Sequence, residues 1–343
     1  NIAFGAEYRV ENYDIVAGEE PSYAQYTANG QRITLASQQP SQDFFGNSRP
    51  GGSQVFPGFA PSNELSRGRS SVAGYFDVEA DFSEAFLASF ATRYENYSDF
   101  GGTINFKLAG RFKATDNLNI RAALNTGFRA PSLHQINFNS TSTIFDNQGN
   151  PQEVGTFAND SRAAKLLGIP QLKEETSQSV SLGLTAKIPD ANITVTVDGY
   201  FVKINDRVVY TGQFSGPGTE LDNLLRQANA TAASFFANAI DTESKGLDIV
   251  ITHKTDLGAN WRLKSDLAGT LSKTKKVGDI NASDVLRNAG LIDTYFPEDS
   301  RVYLEEAVPR TKINLSNSLT SEKFIIFLRN VYFGEVTEAT TTL

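Results

Sequence analysis

From Ile2 to Phe333 the chain returns again and again to one pattern, an apolar residue at every second position. Side chains alternate across a β-strand, so each such run has one apolar and one polar face. In residues 104–113, Ile104, Phe106, Leu108 and Phe112 share a face, with Asn105, Lys107, Arg111 and Lys113 on the other. Residues 118–128 repeat it, with Leu118, Ile120, Leu124 and Phe128 against Asn119, Arg121 and Asn125. The same alternation marks 2–10, 72–80, 86–95, 180–188, 193–201, 247–252, 261–271 and 312–319, while 324–333 is apolar on both faces. The pattern predicts eleven strands. Two of them, Ser70–Asp81 and Asn192–Tyr210, are long enough to run past a membrane boundary.

The connections sort by length. Tight links near Ser83–Glu84, Ala114–Asn117, Pro189–Ala191, Thr255–Asn260 and Ser321–Glu322 are hairpin signals. Between them fall long polar stretches, Asn12–Gly68, Arg129–Glu175, Asn205–Ala239 and Lys273–Pro309; Ser98–Thr103 is shorter but falls on the same side. A soluble sandwich alternates too, but its connections do not sort this way. A membrane barrel does: short periplasmic turns, long extracellular loops, an apolar face to lipid and a polar face to the lumen. In lipid every backbone polar group must be paired, which leaves helices or closed barrels. A tilted spanning strand needs about 9–11 residues, close to most segments here. Tyr94, Tyr97, Phe100, Phe128, Tyr200 and Trp261 fall near strand ends, where an aromatic girdle would sit. Within the loops, Asp160–Leu167 has helical texture, capped by Gly168 and stopped by Pro170, and Thr219–Ala239 reads as a second helical stretch.

Composition narrows the chemistry. The chain of 343 residues has 24 Phe and 12 Tyr, a formal net charge of −8, no Cys, no Met and two His. An acidic chain is a poor partner for nucleic acid. Without Cys there are no disulfides and no thiolate ligands or nucleophiles. Two histidines, His134 and His253, leave little for His-based metal or acid–base sites. No run of 18 apolar residues exists, so no transmembrane helix is expected. No nucleophile elbow, phosphate loop or zinc-protease motif is present, and the chain does not read as an enzyme. Glu174-Glu175 and Glu305-Glu306 read as solvated loop charge, and Asp293, Glu298 and Asp299 lack a diagnostic calcium spacing.

Four motifs then fall in order. Arg93-Tyr94-Glu95-Asn96-Tyr97-Ser98-Asp99-Phe100-Gly101 ends one strand. An alternating hairpin follows, then Thr126-Gly127-Phe128-Arg129-Ala130-Pro131-Ser132. Leu172-Lys173-Glu174-Glu175-Thr176-Ser177 and the Lys245-Gly246-Leu247 strand start come next. This series resembles TonB-dependent outer-membrane receptors from about Ser70 onward. The resemblance implies an all-β, antiparallel transmembrane β-barrel, with residues 1–343 forming about half of a barrel of about 22 strands. Nothing in the chain resembles the family's plug domain or TonB box, nor its terminal aromatic strand, and the first residue is Asn1. The expectation is therefore a processed or truncated chain, a partial barrel from the C-terminal part of such a receptor.

The implied function is outer-membrane uptake of a scarce nutrient of the ferric siderophore, cobalamin or glycan class, driven through TonB by way of the plug, in contact with outer-membrane lipid and without a bound cofactor. A passive porin-like channel and a surface β-sheet ligand-binding module are the alternatives. Recognition belongs on the long loops. The candidate ligand-contacting residues are Tyr23, Tyr26, Phe56, Phe59, Arg129, His134, Phe145, Tyr295 and Phe296. For any one of the aromatics the competing reading is loop-to-loop packing; for Arg129 it is a rim guanidinium that pins a loop carboxylate. Some haem receptors of the family add a downstream Asn-Pro-Asn-Leu, where this chain has Ile169-Pro170-Gln171-Leu172, so His134 is not read as a haem ligand.

Overall fold

The computed structural model describes residues 1–35, 37–46, 48–53, 57–145, 151–216, 218–227, 230–258 and 260–339, with the backbone alone at 143–145 and 151–152. The strands are β1 (Ile2–Ile15), β2 (Leu65–Asp81), β3 (Phe86–Tyr97), β4 (Gly101–Thr115), β5 (Leu118–Arg129), β6 (Ser140–Phe145) and β7 (Pro151–Thr156). They continue as β8 (Glu175–Ile188), β9 (Ile193–Tyr210), β10 (Ala232–Ser234), β11 (Phe236–Gly258), β12 (Trp261–Val277), β13 (Thr311–Thr320) and β14 (Ile325–Phe333). Each of the eleven alternating segments becomes one strand of a single sheet, in the order β1-β2-β3-β4-β5-β8-β9-β11-β12-β13-β14, every pair antiparallel. The tight turns lie at one end and the long connections at the other. Backbone chemistry fits the turns: Asn192 after β8 has φ 52°, and Gly258 and Asn260 between β11 and β12 have φ 81° and 65°.

Register carries the alternation across strands. Ile2, Val78, Phe90, Leu108, Leu124, Val180 and Phe201 stand side by side on seven successive strands. Another row runs Arg111, Arg121, Gly183, Asp198, Asp248, Thr270 and Lys312. In that row the Arg121 guanidinium clasps Asp198 at 3.0 and 2.5 Å and also donates to Thr185. A Cβ at Gly183 would lie 2.0 Å from an Asp198 carboxylate oxygen, so only glycine leaves room for the pair.

Most of the buried apolar residues lie outside this sheet, and those that β11 contributes, Ala237, Ala239 and Ile240, sit at its long-loop end. Leu108, Phe112, Leu124 and Leu182 are about half exposed, and every residue of β14 is exposed. The core instead gathers at the long-loop end. Ala163, Leu167 and Ile169 from the β5–β8 connection meet Phe214, Leu225 and Phe235 from the β9–β11 connection and Leu286, Tyr295 and Phe296 from the β12–β13 connection. The loops thus pack on one another, while the strands bury apolar surface only if something outside the protein covers it. No helix among the described residues is long and apolar enough to cross a membrane.

The loops hold more regular structure than their sequence announced. β10 pairs parallel with β7, which pairs antiparallel with β6, as a separate small sheet. The helical texture of 160–167 becomes a helix at Arg162–Leu166, started by Ser161, whose hydroxyl accepts from Ala164 N. The stretch 219–239 is corrected: helix covers Glu220–Gln227, and from Ala232 the chain is strand. β11 therefore begins at Phe236, inside the stretch Asn205–Ala239 that reads as a connection, and register shifts at Asn238–Thr242 with Asp206 at φ 54° let β9 and β11 continue together. The girdle reading is also corrected. Tyr94 and Trp261 share the apolar face with Ile104 and Leu263, whereas Tyr97 and Tyr200 lie on the polar one.

Candidate ligand-binding site

The site is built on the motif that follows β5. Arg129, the last residue of β5, stands opposite Glu175, the first of β8. Its guanidinium donates to both Glu175 oxygens at 3.0 and 2.5 Å. Glu175, itself buried, also accepts from the backbone N–H of Val208 at 2.7 Å. Arg129 thus pins a carboxylate at the rim. Pro131 has no N–H and leaves the ladder; its carbonyl accepts from Arg69 at 2.7 Å. Arg69 is buried, paired with Glu11 at 2.7 Å and Asp99 at 3.5 Å, and lies over the Tyr97 ring at 5.1 Å. Tyr97 in turn stacks on Phe100 at 4.6 Å. The two strand-end motifs seen in the sequence are therefore one interlocked unit.

Ser132 next starts a helix over Leu133–Asn137 with a reciprocal cap: its hydroxyl accepts from Gln135 N, and its own N–H donates to the Gln135 side chain, each at 3.1 Å. Leu133 is buried, and that fixes the helix so that His134 faces outward. The imidazole stacks on Phe138 at 4.6 Å and meets Tyr13 edge-on at 5.7 Å and Phe236 at 6.0 Å. Phe138 meets Phe59 at 6.0 Å, and Phe236 meets Tyr210 at 5.2 Å. The Tyr210 hydroxyl is 2.7 Å from the Thr156 hydroxyl of the small sheet. The rings are partly exposed, so this is a surface of aromatic faces with polar tips.

That cluster also fixes the sense of the sheet. Tyr13 is on β1 and Phe236 on β11, seven strands apart in sheet order. At about 4.8 Å per strand the path between them is roughly 34 Å. One imidazole nevertheless reaches both rings. The sheet must curl toward the face that carries Tyr13, which by alternation also carries Glu7, Arg9 and Glu11. The polar face is the concave one and the apolar face the convex one. Lys107 and Arg111 point into the concavity, and Leu108 and Phe112 point away from it.

The sequence candidates fare differently. Phe59 and His134 meet in this cluster through Phe138. Tyr23 lies under the Arg32 guanidinium at 5.8 Å and Tyr26 donates to Glu20, both within the β1–β2 connection. Tyr295 and Phe296 are buried in the loop core, where they pack loop against loop and present no face to a ligand. Phe56 and the side chain of Phe145 lie outside the described residues. Tyr13, Phe138, Tyr210 and Phe236 were missed. Tyr13, Phe138 and Phe236 fall in stretches that read as long connections and Tyr210 at a strand end, and nothing local in the sequence says that they converge. Glu298 is held by Arg301, which also reaches Glu305, so this acidic stretch is tied in ion pairs.

A model of the TonB dependent receptor-like β-barrel family matches residues 3–340. The chain belongs to the TonB-dependent receptor barrels. The fold of this receptor chain is similar to that of the siderophore receptor PirA from Acinetobacter baumannii, with TM-score 0.55 and 12% identity over 98% of this chain and 41% of that one. It is equally similar to a mutant ferric enterobactin receptor from Pseudomonas aeruginosa solved with enterobactin, with TM-score 0.55 and 13% identity over 97% and 39%. The RagAB peptide transporter gives TM-score 0.53 and 12% identity over 79% and 34%. The receptor chain therefore spans about two fifths of the length of these solved structures. No curated protein matches it by sequence. Members of the family are outer-membrane receptors for small-molecule nutrients, and the open sheet of this chain is part of such a barrel.

Proposed function

We propose that this chain is the ligand-receiving part of an outer-membrane receptor that imports a scarce nutrient, of the ferric siderophore, cobalamin or glycan class, with energy delivered through TonB. The observation that carries the reading is the cluster of His134, Phe138, Phe59, Tyr13, Phe236 and Tyr210, partly exposed aromatic faces gathered over a concave, charged wall. Aromatic faces suit catecholate rings, a corrin face or a sugar ring, and the charged wall below suits a hydrated path. The rings pack on one another and the capped helix with buried Leu133 holds His134, so little ordering is left to be done on binding.

The test is growth and uptake in a strain deleted for the full-length gene, with iron, cobalamin, a glycan or a peptide limiting. Loss of one uptake activity, restored by the gene and abolished when TonB is removed, is the expected result. The double variant His134→Ala/Phe138→Ala should weaken ligand affinity about tenfold, as two rings each worth about 0.5–1.5 kcal/mol of contact imply. Uptake that persists at the same rate without TonB would make the protein a passive channel. Release from cells without detergent would make it a surface binding module.

A further inference from the structure

The convex face carries one feature that its role toward lipid does not explain. Lys245 on β11 stands directly opposite Lys273 on β12. Both are exposed and neither has an ion-pair partner among the described residues. Like charges directly opposite on adjacent strands repel, and lysine facing lipid is unfavourable near the bilayer midplane. The pair is not at mid-height, however. Toward the tight turns the convex positions are Leu247, Ile249 and Ile251, with Leu271 and Leu267 beside them. Toward the long loops the next row is Lys203, Glu243 and Lys275, where Glu243 answers Lys275 at 3.8 Å. The lysine pair therefore marks the loop-side edge of the apolar band, and unlike the row above it has no carboxylate.

Lys245, Lys273, Leu247, Leu271, Arg310 and Thr311 line a shallow, open recess of about 390 Å³. Arg310 borders it at the start of β13, where its carbonyl accepts from Ser272 N, and its guanidinium is already 4.0 Å from Glu306. Cations above and leucines below match an amphiphile with an anionic head and an alkyl tail. We propose that this recess binds the phosphate-bearing headgroup of an outer-leaflet membrane lipid, with the phosphate between Lys245 and Lys273 and the first methylenes of the tail on Leu247 and Leu271. The bound phosphate supplies the negative charge that the opposed lysines lack, so lipid fastens β11 to β12. The inference rests on the barrel standing in a bilayer with its long loops outward, and not on which nutrient is carried.

The experiment uses the full-length receptor, stripped of lipid in an uncharged detergent and then offered phosphatidic acid or phosphatidylcholine in mixed micelles. Native mass spectrometry reads the lipid retained, and the temperature at which the barrel loses its compact gel mobility reads stability. Phosphatidic acid should be held at least tenfold more tightly than phosphatidylcholine, and added salt should weaken it. Lys245→Gln/Lys273→Gln should abolish that preference, and Lys245→Arg/Lys273→Arg should keep it. Without lipid the Gln variant should be at least as stable as the parent, because the repulsion is gone; with phosphatidic acid it should be the less stable of the two. Lys273→Gln alone gives the same contrast in smaller measure should the double variant fail to fold. Equal retention of both lipids by the parent, or an unchanged preference in the Gln variants, would overturn the proposal. Full displacement of phosphatidic acid by millimolar inorganic phosphate would overturn the lipid assignment in favour of a free-anion site.

Discussion

Tyr295 is wholly buried in the loop core, and its hydroxyl has no hydrogen-bond partner among the described residues. Burial pushes the phenol up from 10.0 to about 12. Below pH 10 the ring is neutral whether the loops are folded or not. Between pH 10 and 12 the unfolded phenol loses its proton while the buried one keeps it, so loop stability falls as pH rises through this window, by on the order of 2 kcal/mol. Tyr295→Phe should remove that fall and raise stability at neutral pH by about 1 kcal/mol, since an unmade hydrogen bond disappears. Hydrogen exchange across 284–305 as a function of pH checks both. Glu175 is the opposite case, a buried carboxylate with every contact used. Glu175→Gln should cost about 2 kcal/mol locally by weakening Arg129 and the Val208 N–H together. The expected reading is a roughly thirtyfold faster exchange of the Val208 amide.

At the scale of the strand, alternation and register say which residues meet lipid. Leu108 sits between Phe90 and Leu124 on the convex face, and Lys107 between Ala91 and Asn125 on the concave one. Leu108→Arg should therefore destabilise the folded barrel by about 2–4 kcal/mol near the bilayer midplane, while Lys107→Ala should change it by less than about 1 kcal/mol. Denaturant titration of the full-length receptor in phospholipid vesicles measures the two side by side. Equal effects would contradict the assignment of faces. Elsewhere the short elements follow local chemistry, as Ser132 and Ser161 show by starting their helices.

At the scale of the molecule, among the described residues β1 pairs only with β2 and β14 only with β13. β14 is apolar on both faces, with Ile325, Phe327 and Val331 opposite Ile326, Leu328 and Tyr332. Open edges in hydrocarbon leave backbone groups unpaired at several kcal/mol each, and in water such an edge recruits other chains. These 343 residues produced alone should therefore be insoluble without detergent and bind no nutrient. Light scattering checks this; a monodisperse, detergent-free monomer would contradict the membrane reading. In the full-length receptor the same edges must be met by further strands.

The sequence alone determined the eleven strands and, for all but the last, their two faces, because a period of two and a turn signal are local properties that survive any packing. It also marked 126–132 and His134, since a strand end followed by Pro131 and a helix-starting Ser132 reads directly from the chain. It could not say how far the strands rise, because β11 from Phe236 to Ile240 is held by β9 across two irregularities that involve residues far apart in sequence. Nor could it tell Tyr295 and Phe296, sealed in the loop core, from Phe59, left on the surface, since all three are aromatics in long polar connections. Only the curl of the sheet decided that Tyr13 and Phe236 share one histidine, because convergence of the first and eighth strands depends on the accumulated twist of every strand between them.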